Sequence, residues 1–178
     1  MNKEKLVNSL RIVPDYPVKG IMFFDVTTLF KDPECYREII DALYEEYKDK
    51  GITKVAGIES RGFIAGAALA DRLGAGFVPI RKPGKLPAET LSETYQKEYG
   101  TDSIEIHTDA IGADDVVLIH DDILATGGTA SAAVALIRRF HPKAIYASFI
   151  IDIIDIPRTT PIPADVPVSA LLQLGENS

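Results

Sequence analysis

The chain has 178 residues, 46% hydrophobic and 25% charged, with a net charge of −7, which suits one soluble domain large enough for a real core. No apolar run approaches the roughly 20 residues that span a bilayer, the start Met1-Asn-Lys-Glu-Lys has no signal-peptide core, and one cysteine excludes an internal disulfide framework. These features make the cytoplasm the expected compartment and argue against a membrane partner, and the acidic balance without a basic run argues against nucleic acid.

A short helix is predicted over about 3–10. Residues 13–28, broken by Pro14, Pro17 and Gly20, read as irregular chain ending in a short strand. Asp32 then caps a helix with Pro33 at its first position, running to about Asp49 and closed by Gly51. Ile39, Ile40, Leu43, Tyr44 and Tyr47 line one face of it, and Cys35 is read as a packing residue. Residues 54–58 form a buried-type strand that runs into Glu59-Ser-Arg-Gly and a small-residue helix over 63–73, stopped by Gly74. A further strand follows at 76–80.

Residues 82–107 break this rhythm. Their first half holds Pro83, Gly84 and Pro87 without a clear period, and their second half predicts two antiparallel strands, 94–99 and 103–107, around Gly100. A long polar excursion inside one domain is usually a functional lid or disorder. Strands at 116–120 and 145–151 and a last one within 166–174 complete the pattern. Near-continuous apolar strands alternating with helices predict an α/β fold with a mainly parallel sheet covered on both faces.

The stretch Val116-Val-Leu-Ile-His-Asp-Asp-Ile-Leu-Ala-Thr-Gly-Gly-Thr129 carries the clearest chemistry. An apolar strand runs into two carboxylates, Asp121 and Asp122, then into a Gly/Thr-rich turn and a helix starting near Ala130. Gly127 and Gly128 let successive N–H groups converge on one anion. Thr126 and Thr129 add hydroxyl donors, and the helix turns its partial positive end to the same place. Ala130, Ala133, Val134 and Ile137 keep the helical spacing, Arg138 and Arg139 suit the last turn, and Pro142 marks the stop. No lysine follows the glycines, so this is not a Walker A loop, and the dinucleotide-binding Gly pattern is absent. The unit offers carboxylates to sugar hydroxyls or a metal ion, and N–H groups to a phosphate, at the strand edge where open α/β sheets bind ligands.

Asp121 to Thr129 resembles the phosphoribosyl-diphosphate motif of the type I phosphoribosyltransferases. Gly20-Ile-Met-Phe-Phe-Asp-Val-Thr27, Glu59-Ser-Arg-Gly-Phe63, Ile80-Arg-Lys-Pro-Gly-Lys-Leu-Pro87 and the segment 95–106 resemble the adenine-specific branch, in family order over most of the chain. The resemblance implies one domain over 1–178, with a small hood drawn from about 1–30 and the C-terminal segment, and a flexible lid over about 82–107. It implies transfer of the 5-phosphoribosyl group from 5-phosphoribosyl 1-diphosphate to adenine, giving AMP and diphosphate, with substrate-bound Mg²⁺ and a homodimer.

The same resemblance implies the residue roles. Asp121 and Asp122 hold the ribose hydroxyls, with Asp121 the protein's candidate contact to Mg²⁺. Ala125, Thr126, Gly127, Gly128 and Thr129 hold the 5′-phosphate. Ser60, Arg61, Arg81, Lys82 and Lys85 take the diphosphate, with a cis peptide often found at the place of Glu59–Ser60. The lid carboxylate Glu98 moves a proton at the base and joins Arg61 as a catalytic residue. Met22, Phe23 and Tyr99 meet the base, with Phe23 or Phe24 stacking on it. Two departures stand out. Phe24 occupies a position often basic in the family, and His120 replaces a common aliphatic residue and is read as packed. Alternative readings are a 6-oxopurine enzyme, against which Ala125 speaks because that branch places an Asp there, and a non-catalytic purine or phosphoribosyl-diphosphate sensor.

Overall fold

The structure, a computed structural model, describes residues 1–96 and 100–175. Helix α1 (Lys3–Ser9) begins at Asn2, whose side chain accepts from the Lys5 N–H. Strands β1 (Arg11–Pro14) and β2 (Met22–Asp25) pair antiparallel, so a hairpin over 11–25 takes up most of the stretch expected to be irregular chain with one strand. The one-turn helix α2 (Thr27–Lys31) follows. Helix α3 (Pro33–Tyr47) starts as the sequence implies, with the Asp32 carboxylate accepting from the N–H groups of Glu34 and Cys35. Strand β3 (Lys54–Ile58), helix α4 (Gly62–Leu73) with its left-handed stop at Gly74, and strand β4 (Gly76–Ile80) come next. The excursion holds the hairpin β5 (Thr90–Gln96) and β6 (Thr101–His107). Strand β7 (Val116–Leu124), helix α5 (Gly128–Arg138) and strands β8 (Ala144–Ile153) and β9 (Val168–Leu174) complete the chain.

The central sheet has five parallel strands in the order β4-β3-β7-β8-β9. Strand residues alternate between two packed faces. Val116 and Leu118 join a core with Leu29, Ile39, Leu43 and Leu69 from α2, α3 and α4. Val117 and Ile119 join a second core with Ala133, Val134 and Ile137 from α5 and Ile104 and Ile106 from β6. Tyr95 of β5 belongs to the same core, so both strands of the excursion contribute to it. Each fully buried Leu or Ile in these cores contributes about 1.5–3 kcal/mol relative to exposure. Cys35 is fully buried among them, as a packing residue should be.

The layering brings three loops to one edge of the sheet. The segments after β3, β4 and β7 all emerge at the carboxyl ends of parallel neighbours, which is where open α/β sheets leave a crevice.

Candidate active site

Strand β7 does not end at His120. It stays paired with β8 through Leu124, so Asp121 and Asp122 lie inside the strand. Asp121 is partly exposed and Asp122 is buried, at 4% exposure. A charge buried so far needs a partner, and Arg61 supplies it by donating from Nε to Asp122 Oδ2. Helix α4 makes this contact possible by starting close to β7: a Cβ at Gly62 would come within 2.7 Å of the His120 carbonyl oxygen. Burial works against the Arg61 charge, and Asp122, Asp121 and Asp25 outweigh it. Asp121 accepts from the Asp122 N–H at 2.9 Å. Burial, and then the Asp122 charge, push Asp121 well above the ordinary carboxylate range.

Beyond β7 the chain turns through Thr126 and Gly127 into α5, which begins at Gly128, two residues before the expected start. Gly127 has φ +88°, and a Cβ there would run into the Thr160 carbonyl. Asp121, Ala125, Thr126, Gly127, Gly128, Thr129 and Ala130 are among the residues that line a small cavity of about 90 Å³. The structure thus brings Asp121 and the predicted phosphate residues together around one small space at a helix N-terminus, while Asp122 is not among the residues that line it.

The cationic turn after β4 is organised by Glu59. Its carboxylate accepts from the Lys82 N–H at 2.9 Å and from Arg81 Nε at 3.2 Å. The Lys82 N–H bond and then the Arg81 contacts outweigh partial burial and hold Glu59 below its usual range. Arg81 also donates to the Lys85 carbonyl at 3.1 Å, drawing the three cations into one turn beside the cis Glu59–Ser60 peptide. Lys85 itself is exposed, as is Ser60. The Lys82 ammonium pairs with Asp102 and reaches the Tyr95 hydroxyl at 3.4 Å.

A second cavity, of about 300 Å³, lies between the β1–β2 hairpin and α4, lined by Val13, Tyr16, Phe23, Asp25, Thr27 and Arg61. Phe23 meets Tyr16 edge-on at 5.1 Å and has the Arg61 guanidinium 5.6 Å from its ring centre. Met22 is exposed beside it. Phe24 points the other way, 3% exposed in the core. It cannot stack on a ligand, because neighbouring strand residues face opposite sides. Glu98 and Tyr99 lie outside the described residues.

Three residues that sequence reasoning did not single out belong to this site. Glu59 was seen only as part of a loop. The Tyr95 hydroxyl receives Thr129 Oγ1 at 3.1 Å and donates to Asp102 at 3.3 Å, tying the Gly/Thr turn to the Lys82 side. Arg158 donates to the Ala125 carbonyl and pairs with Asp152 behind the same turn. Only Glu59 had a local signal, its place next to Ser60 and Arg61 at a strand end. His120 is fully buried, with Nδ1 at 2.8 Å from Ser148 Oγ. Its imidazole is a packing group between β7, β8 and α4, away from the cavities.

The family description "Phosphoribosyl transferase domain" matches residues 25–155. The chain is 62% identical over 174 residues to the adenine phosphoribosyltransferase of Phocaeicola vulgatus, covering 98% of this chain and 100% of that one. It is similar to the crystal structure of adenine phosphoribosyltransferase from Rhodothermus marinus, at 51% identity and TM-score 0.90 over 96% of this chain and 97% of that one. It is likewise similar to the enzyme of Giardia lamblia in complex with 9-deazaadenine, at 36% identity and TM-score 0.92 over 98% of each chain.

Proposed function

This chain belongs to the phosphoribosyltransferase family, among its adenine phosphoribosyltransferases, and from that membership we propose how its residues divide the work. The enzyme transfers the 5-phosphoribosyl group from 5-phosphoribosyl 1-diphosphate to adenine, giving AMP and diphosphate. The observation that carries the assignment of roles is spatial. The anion-sized cavity at Ala125–Ala130 adjoins Asp121, while Arg61 links Asp122 to the cavity beside Phe23. A phosphate, a pentose and a flat base are three groups in that order.

In this reading the backbone N–H groups and hydroxyls from Ala125 to Thr129 hold the 5′-phosphate through charge-assisted bonds, about twice as strong as neutral ones. Asp121 and Asp122 accept from the ribose hydroxyls. Negative charge on this acidic pair favours the oxocarbenium-like character that develops as the C1′–O bond to diphosphate breaks and the C1′–N9 bond forms. Ser60, Arg61, Arg81, Lys82 and Lys85 neutralise the departing diphosphate. Glu98 takes the imidazole proton of adenine, and Tyr99 closes beside it. A backbone carbonyl at Met22 or Phe23 accepts from the 6-amino group. Facing a 6-oxo group instead, it would lose about 1–3 kcal/mol, roughly 10- to 100-fold.

No group of three metal-binding side chains occurs among the described residues. The acidic pair fits a Mg²⁺ carried in by substrate oxygens, with Asp121 as the protein contact, and the ion would supply charge neutralisation on the diphosphate. The hood (about 1–30 with the C-terminal segment) and the lid (about 82–107) belong to a single domain over 1–178 in this reading, and the working unit is a cytoplasmic homodimer. No helix among the described residues is long and apolar enough to cross a membrane.

The test is AMP release from 5-phosphoribosyl 1-diphosphate with adenine, hypoxanthine, guanine or xanthine as acceptor. Product with adenine alone is expected. Turnover confined to 6-oxopurines would overturn the base assignment, and binding without turnover would make the chain a sensor.

A further inference from the structure

The segment after β8 folds back over the outer side of the Gly/Thr turn. Arg158 is its centre. One guanidinium nitrogen donates to the Ala125 carbonyl and also lies 3.5 Å from the Leu124 carbonyl and 3.4 Å from the Ile153 carbonyl. The other pairs with Asp152, which sits opposite Leu124 in the β7–β8 register. Two residues on, the Thr160 N–H donates to the Thr126 carbonyl at 3.2 Å. The Arg158 stem lies 3.9 Å from where a Gly127 Cβ would be.

Peptide planarity gives these contacts a consequence. In a trans peptide the C=O and the following N–H point in opposite directions. Holding the Ala125 carbonyl toward Arg158 turns the Thr126 N–H away from it. Holding the Thr126 carbonyl toward Thr160 turns the Gly127 N–H away as well. Neither Arg158 nor Thr160 lines the small cavity, whereas Ala125, Thr126 and Gly127 do. The strap therefore grips the carbonyls from one side and leaves the donors for the other.

We propose that Arg158 is a positioning residue for 5′-phosphate recognition, fixing the peptide planes of the Ala125–Gly127 turn so that their N–H groups converge before substrate arrives. A cradle assembled in advance does not lose ordering entropy at the moment of binding. Arg suits the task because its planar fork serves several carbonyls and a carboxylate at once. A lysine ammonium on a flexible stem cannot hold that geometry. Asp152 holds the fork in place and offsets its charge.

The proposal rests on the assignment of this turn to the 5′-phosphate, and the experiment separates the two. Binding of AMP and of adenosine is measured by calorimetry for the wild-type chain and for Arg158→Met and Arg158→Lys, with thermal melting as a check on folding. The wild type should hold AMP far more tightly than adenosine. Arg158→Met should weaken AMP by about tenfold to a hundredfold, the loss expected when hydrogen bonds to a charged group are misaligned, while adenosine changes little. Arg158→Lys should fall between, and it carries the test if the methionine variant does not fold. Guanidinium added at millimolar concentration should partly restore AMP binding in Arg158→Met. Unchanged AMP affinity in both variants, or equal weakening of AMP and adenosine, would overturn the role of Arg158. A wild type that does not distinguish AMP from adenosine would overturn the phosphate assignment itself.

Discussion

Arg61 donates from Nε to Asp122 Oδ2, joining the start of α4 to a carboxylate buried within β7. The pair joins the cation proposed for the diphosphate to an anion proposed for the ribose. The Asp122 carboxylate is almost fully covered, and the half-covered Arg61 guanidinium compensates it.

Asp122→Asn keeps the shape and one acceptor oxygen for Arg61, and removes the charge. The melting temperature should change little for that reason. AMP formation should fall by about a hundredfold or more, the scale seen when one electrostatic partner of a transition state is lost. Steady-state kinetics beside a melting curve decide it. A variant as active as the parent would remove Asp122 from the ribose role.

Gly127 is tested against Gly74, since both have positive φ, +88° and +67°. A Cβ at Gly74 meets nothing within 4 Å, so Gly74→Ala incurs only the left-handed backbone cost of about 1–2 kcal/mol, a drop of roughly 2–8 °C with activity retained. A Cβ at Gly127 also collides with the Thr160 carbonyl. Gly127→Ala should melt lower still, and its KM for 5-phosphoribosyl 1-diphosphate should rise at least tenfold. Equal behaviour of the two variants would mean that the strap does not press on the turn.

What the sequence revealed depended on how local each signal was. The strands at 54–58 and 76–80 were legible to the residue because apolar runs ending at Glu59 and Arg81 coincide with the sheet edge. The cap at Asp32 with Pro33 was legible because its partners are two and three residues away. β7 reads four residues short, because Asp121 and Asp122 look like the end of an apolar strand. The strand instead stays paired with β8 through Leu124, and Arg61, 61 residues earlier, pairs with Asp122. β1 was hidden by Pro14 at its end and by the cis Tyr16–Pro17 turn that follows. The residues proposed for the ribose and the phosphate lie close together because one strand and one turn carry them. Arg158 holds a carbonyl 33 residues upstream, and no spacing rule reports such a contact.

Glu59 governs the cationic turn, so Glu59→Gln should act on the diphosphate. The amide can accept from either the Lys82 N–H or Arg81, but it no longer pairs with the Arg81 charge. KM for 5-phosphoribosyl 1-diphosphate should rise about tenfold, with KM for adenine and the melting temperature nearly unchanged. If both KM values move together, Glu59 supports the whole crevice rather than the diphosphate end.

Glu98→Gln tests proton transfer. Maximal rate should fall by about a hundredfold, the usual size of a general acid–base contribution, while adenine affinity changes little. A rate that does not move would assign the proton to another group.

His120 sets a pH limit on the fold. Full burial pushes its imidazole down to about 4, against an ordinary 6.5, and the charge of Asp122 on the same strand only partly opposes this. At pH 7 the ring is neutral in both folded and unfolded chains. As pH falls below 6.5 the unfolded chain takes up a proton that the folded chain refuses until about pH 4, so stability declines with falling pH across that window. Between pH 7 and pH 5 the decline from this group is about 2 kcal/mol. Asp121, raised in the folded state, acts in the opposite sense as pH changes, so the wild-type curve alone mixes the two. His120→Leu removes the imidazole and leaves both aspartates. Urea unfolding at pH 7 and pH 5 should show the wild type losing about 2 kcal/mol more than the variant over the interval. Parallel losses in the two proteins would mean that the ring is protonated in the folded chain, with its Nε2, unpartnered among the described residues, bonded to a group that burial did not foretell.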